Sequence, residues 1–245
     1  MKFLVCISNV PDTTTKINFT ENNTHFNTSG VQFILNPYDE LSIARAVELS
    51  EGGKGEITIL HVGEIGSEPT IRKALALGAD NAVRINANPK DAYYVAHQIA
   101  HFCKQNAFDI LFFGRESIDY NGAQVCGMVA EILGIPSVSI AKKLDLDGSK
   151  ALIEREIEGG KEILEVQIPF ALSSTEGLAE AKIPNMRGIM SARTKPLTVL
   201  EPISVPDFES IISFESPKPR GLVKLVKSDD AESLISLLHS EAKVI

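Results

Sequence analysis

Short apolar runs alternate with helical patterns through the first half of the chain, and this alternation restricts the fold more than any other feature. The apolar runs at residues 3–7, 57–62, 82–85 and 110–113 predict strands, and each is followed by a segment with helical spacing. Strands that alternate with helices pair in parallel through right-handed crossovers. We therefore expect an α/β fold with a doubly wound, mainly parallel sheet.

Helix boundaries are marked by their usual residues. Asn36 is a candidate N-cap, Pro37 stands at the first helical position, and Asp39 and Glu40 fall in the first turn, where the helix dipole favours carboxylates. The same pattern predicts a second helix from about residue 67 to Gly78. Further helices are expected at residues 91–106 and 123–133.

After Pro136 the pattern changes to strands, predicted at residues 138–141, 151–157, 163–168 and 170–173. A Gly159-Gly160 turn favours a hairpin, so antiparallel strands should extend the parallel sheet. The polar residues 12–30 favour a small hairpin or excursion at its edge. Residues 1–200 are thus predicted to form one domain.

Residues 201–245 are predicted to form a C-terminal arm. They hold several prolines and then a helical pattern from about Asp230 with Leu234, Leu237 and Leu238 at helical spacing. This pattern fits an arm that packs on a partner and equally a last helix that returns to the core of the same chain.

Composition excludes some classes of function. The formal net charge of -8 argues against a phosphate-backbone footprint, so no nucleic acid partner is expected. Cys6, Cys103 and Cys126 are widely spaced, which fits a reducing compartment and predicts neither disulfides nor a metal site. The apolar N-terminus is interpreted as a buried strand and not as a signal peptide. We expect a cytoplasmic protein without direct membrane insertion.

Residues 114–125 are the most informative segment, because they leave a parallel strand, form a loop and enter a helix. Ligands of open parallel sheets bind at that edge. Gly122 lets the backbone approach a ligand closely, and the N–H groups of Ala123, Gln124 and Val125 could bind a phosphate at the helix start. Spacing alone leaves an ordinary connection and an anion site both open. An adenosine could lie across the neighbouring loops.

No catalytic constellation is evident. His97 and His101 share a helix face, but no third metal ligand accompanies them. The loop at residues 8–12 lacks the glycine-rich form that a nucleotide-hydrolysing or adenylating enzyme needs. We therefore predict no catalytic residues and no metal site.

Taken together and in order, five segments resemble electron-transfer flavoprotein beta subunits, and the resemblance extends from Lys2 to about Leu200. The segments are FLVC (3–6) leading to VPD (10–12), NPYDE (36–40), ALALGAD (74–80), GRESIDYNGAQV (114–125) and EREIEGG (154–160). The resemblance implies an adenine-nucleotide-binding (HUP-like) fold. It also implies a heterodimer with an alpha subunit that holds most of the redox FAD, and a carrier without catalysis of its own. Electrons would come from acyl-CoA dehydrogenases and other dehydrogenases and pass to a flavoprotein-quinone oxidoreductase.

The resemblance also implies an AMP site. Its residues would be Cys6, Asn36, Pro37, Tyr38, Asp39, Val62, Gly114, Asp119, Gly122, Ala123, Gln124 and Val125. Tyr38 matches an aromatic residue that lies near the flavin in relatives. Ala123 and Val125 flank Gln124 where respiratory members often have Asn and Thr. That order resembles electron-bifurcating members, which hold a second FAD in place of AMP and oxidise NADH, whereas Tyr120-Asn121 departs from them. We expect AMP, with a second FAD as the alternative.

Residues 174–185 occupy the position of the family's recognition loop, which inserts an exposed leucine into partner dehydrogenases. By position, Leu178 is that anchor. The alternative is a leucine that is buried in its own loop.

Overall fold

The computed structural model describes residues 1–89 and 91–245. The strands are β1 Lys2–Cys6, β2 Asn9–Pro11, β3 Phe19–Thr20, β4 His25–Phe26, β5 Phe33–Leu35, β6 Glu56–Val62, β7 Asn81–Ile85, β8 Ile110–Gly114, β9 Ser137–Asp147, β10 Lys150–Ile157, β11 Gly160–Gln167, β12 Phe170–Ser174 and β13 Leu197–Leu200. The helices are α1 Pro37–Ser50, α2 Glu68–Leu77, α3 Ala92–Gln105, α4 Val125–Leu133, α5 Met186–Ala192 and α6 Ala231–Leu237. A 3₁₀ turn at Ile65–Ser67 precedes α2, and a π turn at Leu238–Ala242 follows α6.

One large sheet organises the chain, with strand order β11-β10-β9-β12-β8-β1-β6-β7-β13. The seven neighbouring strands β9-β12-β8-β1-β6-β7-β13 are all paired in parallel. Strand β10 is antiparallel to both of its neighbours, β9 and β11. From β1 the chain moves outward to β6 and β7 and then returns to β8 on the other side of β1. The strand order therefore reverses between β1 and β8, and the predicted doubly wound, mainly parallel sheet with antiparallel additions is confirmed.

The core lies on both faces of this sheet. Phe3 and Val5 of β1 pack on the side covered by α1, α2 and α5, whereas Leu4 and Cys6 pack on the side of α3 and α4. Successive side chains of a strand point to opposite faces, so both sets must be apolar. This two-sided burial explains why the central strands appear in the sequence as unbroken apolar runs.

Several elements differ from the sequence-based expectation: β11 begins at Gly160 and not at residue 163, and α5 and β13 were not predicted. Strand β9 runs on to Asp147, because Ala141 and Leu144 stay buried while the charged residues between them face solvent. Helix α4 begins at Val125 and not at Ala123, since Ala123 adopts a left-handed conformation with φ of 52°. Residues 12–30 contain one short antiparallel pair, β3 with β4, as expected of a small hairpin, and a second short pair, β2 with β5, flanks them.

The C-terminal segment first follows the domain and then leaves it. The side chain of Gln98 exchanges two hydrogen bonds with the backbone of Ile203, at 2.8 and 2.9 Å. Farther along, Phe214 stacks on Phe19 with 4.8 Å between ring centroids. Helix α6 buries none of its residues, so it does not return to the core of this chain. The arm's packing on a partner stays a prediction.

Across residues 1–89 and 91–245, every helix is too short or too polar to cross a membrane.

Candidate functional site

A cavity of about 510 Å³ opens at the carboxyl ends of β1, β6 and β8, where the strand order reverses. Its walls come from the loops that follow these strands and from the beginnings of α3 and α4. The volume lies within the range of small-molecule and cofactor sites, and the position is the one where doubly wound sheets bind ligands. The cavity is therefore the candidate binding site.

Nine of the twelve residues predicted for the nucleotide site line this cavity. They are Cys6, Asp39, Val62, Gly114, Asp119, Gly122, Ala123, Gln124 and Val125. The fold brings these residues together although they come from four separate parts of the chain. Among the described residues, Asn36, Pro37 and Tyr38 lie outside the lining.

The loop from Gly114 to Val125 presents backbone donors. Asn121 and Ala123 both have a φ of 52°, and neither Gly122 nor Ala123 donates to another backbone group in the described part of the chain. A left-handed conformation is uncommon for alanine, and such strain gathers at ligand-binding loops. The first N–H groups of α4 also lack intrahelical partners. Together these groups can bind an anion, with the helix dipole adding to the attraction.

Asn36 supports this loop from behind. Its Nδ2 donates to the carbonyl of Glu116 at 2.9 Å, and its Oδ1 accepts from the N–H of Ile118 at 3.2 Å. The prediction that the Asn36 side chain caps α1 was wrong, because this side chain is already occupied by the loop. Asn36 therefore acts on the site by fixing the conformation of residues 116–118.

Asp39 joins the two strands at which the order reverses. Its carboxyl accepts from the N–H of Ser8 at 2.6 Å and from the N–H of Gly114 at 2.9 Å. Burial raises the pKa of Asp39 to about 7, although the hydrogen bonds from Ser8, Asn36 and Gly114 act to lower it. Both carboxyl oxygens are thus engaged by the protein, and Asp39 holds the loops after β1 and β8 in place.

Tyr38 is half-buried, and one side chain of its own chain lies over its ring. The guanidinium of Arg115 lies 4.7 Å from the centroid of the Tyr38 ring, and Arg115 also donates to Glu116 at 2.6 Å. Such a cation–π contact contributes about 0.5–1 kcal/mol at an exposed site. Arg115 lines the cavity as well, so the pair connects the binding site with the aromatic residue predicted to lie near the flavin.

The thiols at this site are poor nucleophiles. Cys6 and Cys126 are buried in the cavity wall, and burial raises the pKa of Cys6 well above its ordinary value and that of Cys126 to about 12. Both are therefore protonated near neutral pH, and a protonated thiol is weakly reactive. Their contribution to the site is packing.

Sequence reasoning missed His61. Its Nδ1 donates to the carbonyl of Ile7 at 2.8 Å, and burial lowers the pKa of His61, so the ring is neutral near pH 7. A Cβ at Gly63 would lie 2.2 Å from Nε2, so glycine is required beside this ring. A lone histidine inside an apolar strand carries no signal that could have revealed the contact.

Sequence reasoning also missed three arm residues, Glu209, Ser210 and Ile211, that line the cavity. They are held there by Phe208, whose ring meets that of Tyr93 edge-on with 4.8 Å between centroids. We call residues 208–211 the strap. Phe208 and Ile211 do follow an apolar pattern, but nothing in that pattern indicates where they pack.

Leu178 is buried and not exposed as predicted, and its role as a recognition anchor stays a prediction. Leu178 is only 5% exposed and belongs to the core on the α1 side, because the turn at Gly177, with φ of 100°, tucks it inward. The alternative, a leucine buried in its own loop, is the one observed. In the same loop Ile183 is 94% exposed, and Met186 at the start of α5 is also exposed.

Comparisons with known proteins agree with this geometry. The family model "Electron transfer flavoprotein domain" matches residues 23–205. The chain is 36% identical over 230 residues to the electron transfer flavoprotein subunit beta of Bacillus subtilis (strain 168), covering 88% of this chain and 90% of that protein. It is 29% identical over 254 residues to the human subunit of the same name, covering 100% of this chain and 99% of that protein. The chain therefore belongs to the electron transfer flavoprotein beta-subunit family.

Proposed function

We propose that this chain is the beta subunit of a heterodimeric electron carrier, that it binds AMP in the cavity described above, and that it helps to hold the FAD of an alpha subunit. The observation that carries the proposal is the cavity at the reversal of strand order, lined by a loop with free backbone donors. The subunit name shared by the relatives supports an alpha partner.

The residues present fit a nucleotide. The N–H groups of residues 122–125 and the cation of Arg115 would hold the phosphate, and Cys6 and Val62 would form the wall beside the nucleoside. A buried carboxyl oxygen of Asp91, which lines the same cavity, has no hydrogen-bond partner among the described residues. A nucleotide supplies an anion for the donors and hydrogen-bond donors for such an acceptor.

The nucleotide would act as a structural ligand. Asp39 is occupied by two backbone N–H groups, and the two cysteines of the cavity wall are protonated, so no general base or nucleophile faces the cavity from these residues. Binding to the folded state alone stabilises it by mass action without turnover. The FAD would supply the redox chemistry, and this chain would orient it, with Tyr38 nearby. We propose a cytoplasmic carrier and not an enzyme.

We further propose that acyl-CoA dehydrogenases and other dehydrogenases reduce the heterodimer and that a flavoprotein-quinone oxidoreductase reoxidises it. In this proposal Ile183 takes the anchoring role first expected of Leu178, because it is the exposed apolar residue of the same loop. A single apolar side chain that enters a partner's pocket is a common interaction hot spot. The exposed residues of the arm would pack on the alpha subunit.

A second candidate keeps the heterodimer but places a second FAD in the cavity and makes it oxidise NADH. The order Ala123-Gln124-Val125 favours it, because this order resembles electron-bifurcating members. The volume of the cavity, about 510 Å³ with the strap as part of its wall, favours the smaller AMP.

The deciding experiment is to co-express the chain with its alpha partner, denature the purified complex, and count the released nucleotides by chromatography and mass. One FAD and one AMP per heterodimer would support the simple carrier. Two FAD, together with flavin reduction by NADH, would favour the second candidate. Failure to obtain a complex, with no nucleotide bound, would overturn both.

A further inference from the structure

Asp91 stands immediately before α3 and uses only one of its two carboxyl oxygens. Its backbone is extended, with φ of -149° and ψ of 174°, and Oδ1 accepts from the N–H of Tyr94 at 2.6 Å. This is the geometry of an N-cap, in which a side-chain oxygen satisfies an N–H of the first helical turn. The helix therefore accounts for Oδ1 and leaves Oδ2 to be explained.

Oδ2 of Asp91 is buried, yet no group in the described part of the chain donates a hydrogen bond to it. A buried acceptor without a partner costs about 1–3 kcal/mol, and proteins rarely keep one without a reason. Asp91 also lines the candidate nucleotide cavity. A ligand in that cavity is therefore a natural source of the missing donor.

The charges of the cavity indicate which part of a nucleotide meets Asp91. The lining at the α3 end and at the strap includes the acidic residues Asp91 and Glu209. The loop after β8 contributes the cation of Arg115 and the backbone donors before α4, together with Asp119 and with Glu116, the ion-pair partner of Arg115. A phosphate is repelled by carboxylates and attracted by cations and helix N-termini. The phosphate thus belongs at the α4 end, and the uncharged nucleoside belongs beside Asp91.

We propose that Oδ2 of Asp91 accepts a hydrogen bond from the nucleoside part of the bound nucleotide, either from a ribose hydroxyl or from the exocyclic amine of the base. Asp91 is then a specificity-determining residue as well as a helix cap. This inference rests on the proposed function, since it requires an adenine nucleotide in the cavity. It adds a residue that forms no part of the nucleotide site expected from the sequence.

The test compares Asp91→Asn and Asp91→Ser in the complete heterodimer after removal of bound nucleotide. Both variants keep an oxygen that can cap α3, but asparagine can place an NH₂ group where Oδ2 stood and serine leaves that position empty. We expect AMP to bind both variants about 10 to 100 times more weakly, as measured by titration calorimetry, because a hydrogen bond to a charged group is lost. Thermal stability without nucleotide should not fall in either variant, because the cap is kept and the unpartnered Oδ2 is removed.

Nucleotide analogues identify the donor. We would titrate wild type and Asp91→Asn with 2′-deoxy-AMP, 3′-deoxy-AMP and purine riboside monophosphate, which lacks the amine. The analogue without the relevant donor should bind both proteins equally weakly. If the heterodimer carries a second FAD, the same variants are scored by release of that FAD, whose adenosine has the same donors.

The outcomes separate this inference from the function on which it rests. Wild-type binding of AMP or FAD with unchanged affinity in both Asp91 variants would overturn the role of Asp91 and leave the nucleotide site intact. Wild type that binds neither nucleotide would overturn the proposed site itself. Unchanged affinity in both variants, with unchanged unfolding stability, would show Asp91 to be a replaceable helix cap and nothing more.

Discussion

Asp39 and Gly114 approach so closely that only glycine fits at position 114. The N–H of Gly114 donates to Oδ1 of Asp39 at 2.9 Å, and a Cβ at this position would lie 2.2 Å from the same oxygen. The backbone of the loop after β8 therefore lies directly on the first turn of α1. This contact fixes the entrance of the loop that presents backbone donors to the cavity.

Gly114→Ala is expected to lower the free energy of unfolding by about 1–3 kcal/mol, because the new methyl group must displace the Asp39 carboxyl or the loop. Nucleotide binding should weaken with it. Gly122→Ala in the same loop is the matched control, since a Cβ there meets nothing within 4 Å. Chemical denaturation of the nucleotide-free heterodimer measures the free energy of unfolding of both variants. Equal stability of the two variants would contradict the crowding argument.

The buried carboxyl of Asp39 predicts a dependence of stability on pH. Its pKa is about 7 in the folded protein and 3.8 as the ordinary value, so between these values the folded state holds a proton that the unfolded state releases. The contribution of Asp39 to the free energy of unfolding is therefore fully present below pH 3.8 and is lost as the pH rises to about 7. The slope approaches about 1.4 kcal/mol per pH unit.

Asp39→Asn removes this titration. We expect the curve of unfolding free energy against pH to lose that falling component between pH 4 and 7 in the variant, while its overall stability drops because an amide NH₂ must face a backbone donor. Denaturant titrations at several pH values, with wild type beside the variant, give the comparison. Parallel curves for the two proteins would show that Asp39 does not titrate in this range.

The strap predicts slow nucleotide release. Phe208 holds residues 209–211 in the wall of the cavity through its contact with Tyr93, so Phe208→Ala should free the strap and speed nucleotide dissociation severalfold. The aromatic pair contributes about 0.5–1.5 kcal/mol beyond its buried area, which sets the expected size of the effect. Competition of bound AMP against a fluorescent analogue measures the rate. Ile212→Ala is the control, because Ile212 is 85% exposed.

Leu178 and Ile183 should separate folding from partner recognition. Leu178→Ala removes buried methyl groups and should cost about 2–5 kcal/mol of unfolding free energy. Ile183→Glu should leave stability almost unchanged, because the side chain is exposed, but should reduce electron transfer from an acyl-CoA dehydrogenase more than tenfold if Ile183 enters a partner pocket. Flavin reduction by the dehydrogenase gives the rate. An unaltered rate in Ile183→Glu would assign recognition elsewhere.

Much of the fold could be predicted because its signals are local. Residues 3–7, 57–62 and 110–113 appear as unbroken apolar runs since parallel strands are covered on both faces. Gly78 and Gly134 end their helices as expected, both with positive φ. Strands with one solvated face were predicted less well, as β9 shows, because charged residues on that face interrupt its apolar pattern.

The candidate site could be predicted only in part. The loop from Gly114 to Val125 was recognisable because glycine and a strand-to-helix transition lie together in the sequence. Asn36 has a sequence position that favours capping, but its side chain binds a loop eighty residues away. Leu178 and Ile183 have similar chemistry and stand five residues apart, and only the course of the chain around Gly177 buries one and exposes the other.

By itself the sequence determined the alternation of strands and helices, the parallel core and the position of the loop that presents backbone donors. These features are local, because the periodicity of apolar residues and the backbone effects of glycine and proline extend over only a few residues. The tertiary structure alone decided which distant groups meet: Asp39 with Gly114, His61 with Ile7, Phe208 with Tyr93, and Asp91 with the cavity. These contacts depend on the order of strands in the sheet and on the route of the arm. Both result from packing over the whole chain, which no local pattern encodes.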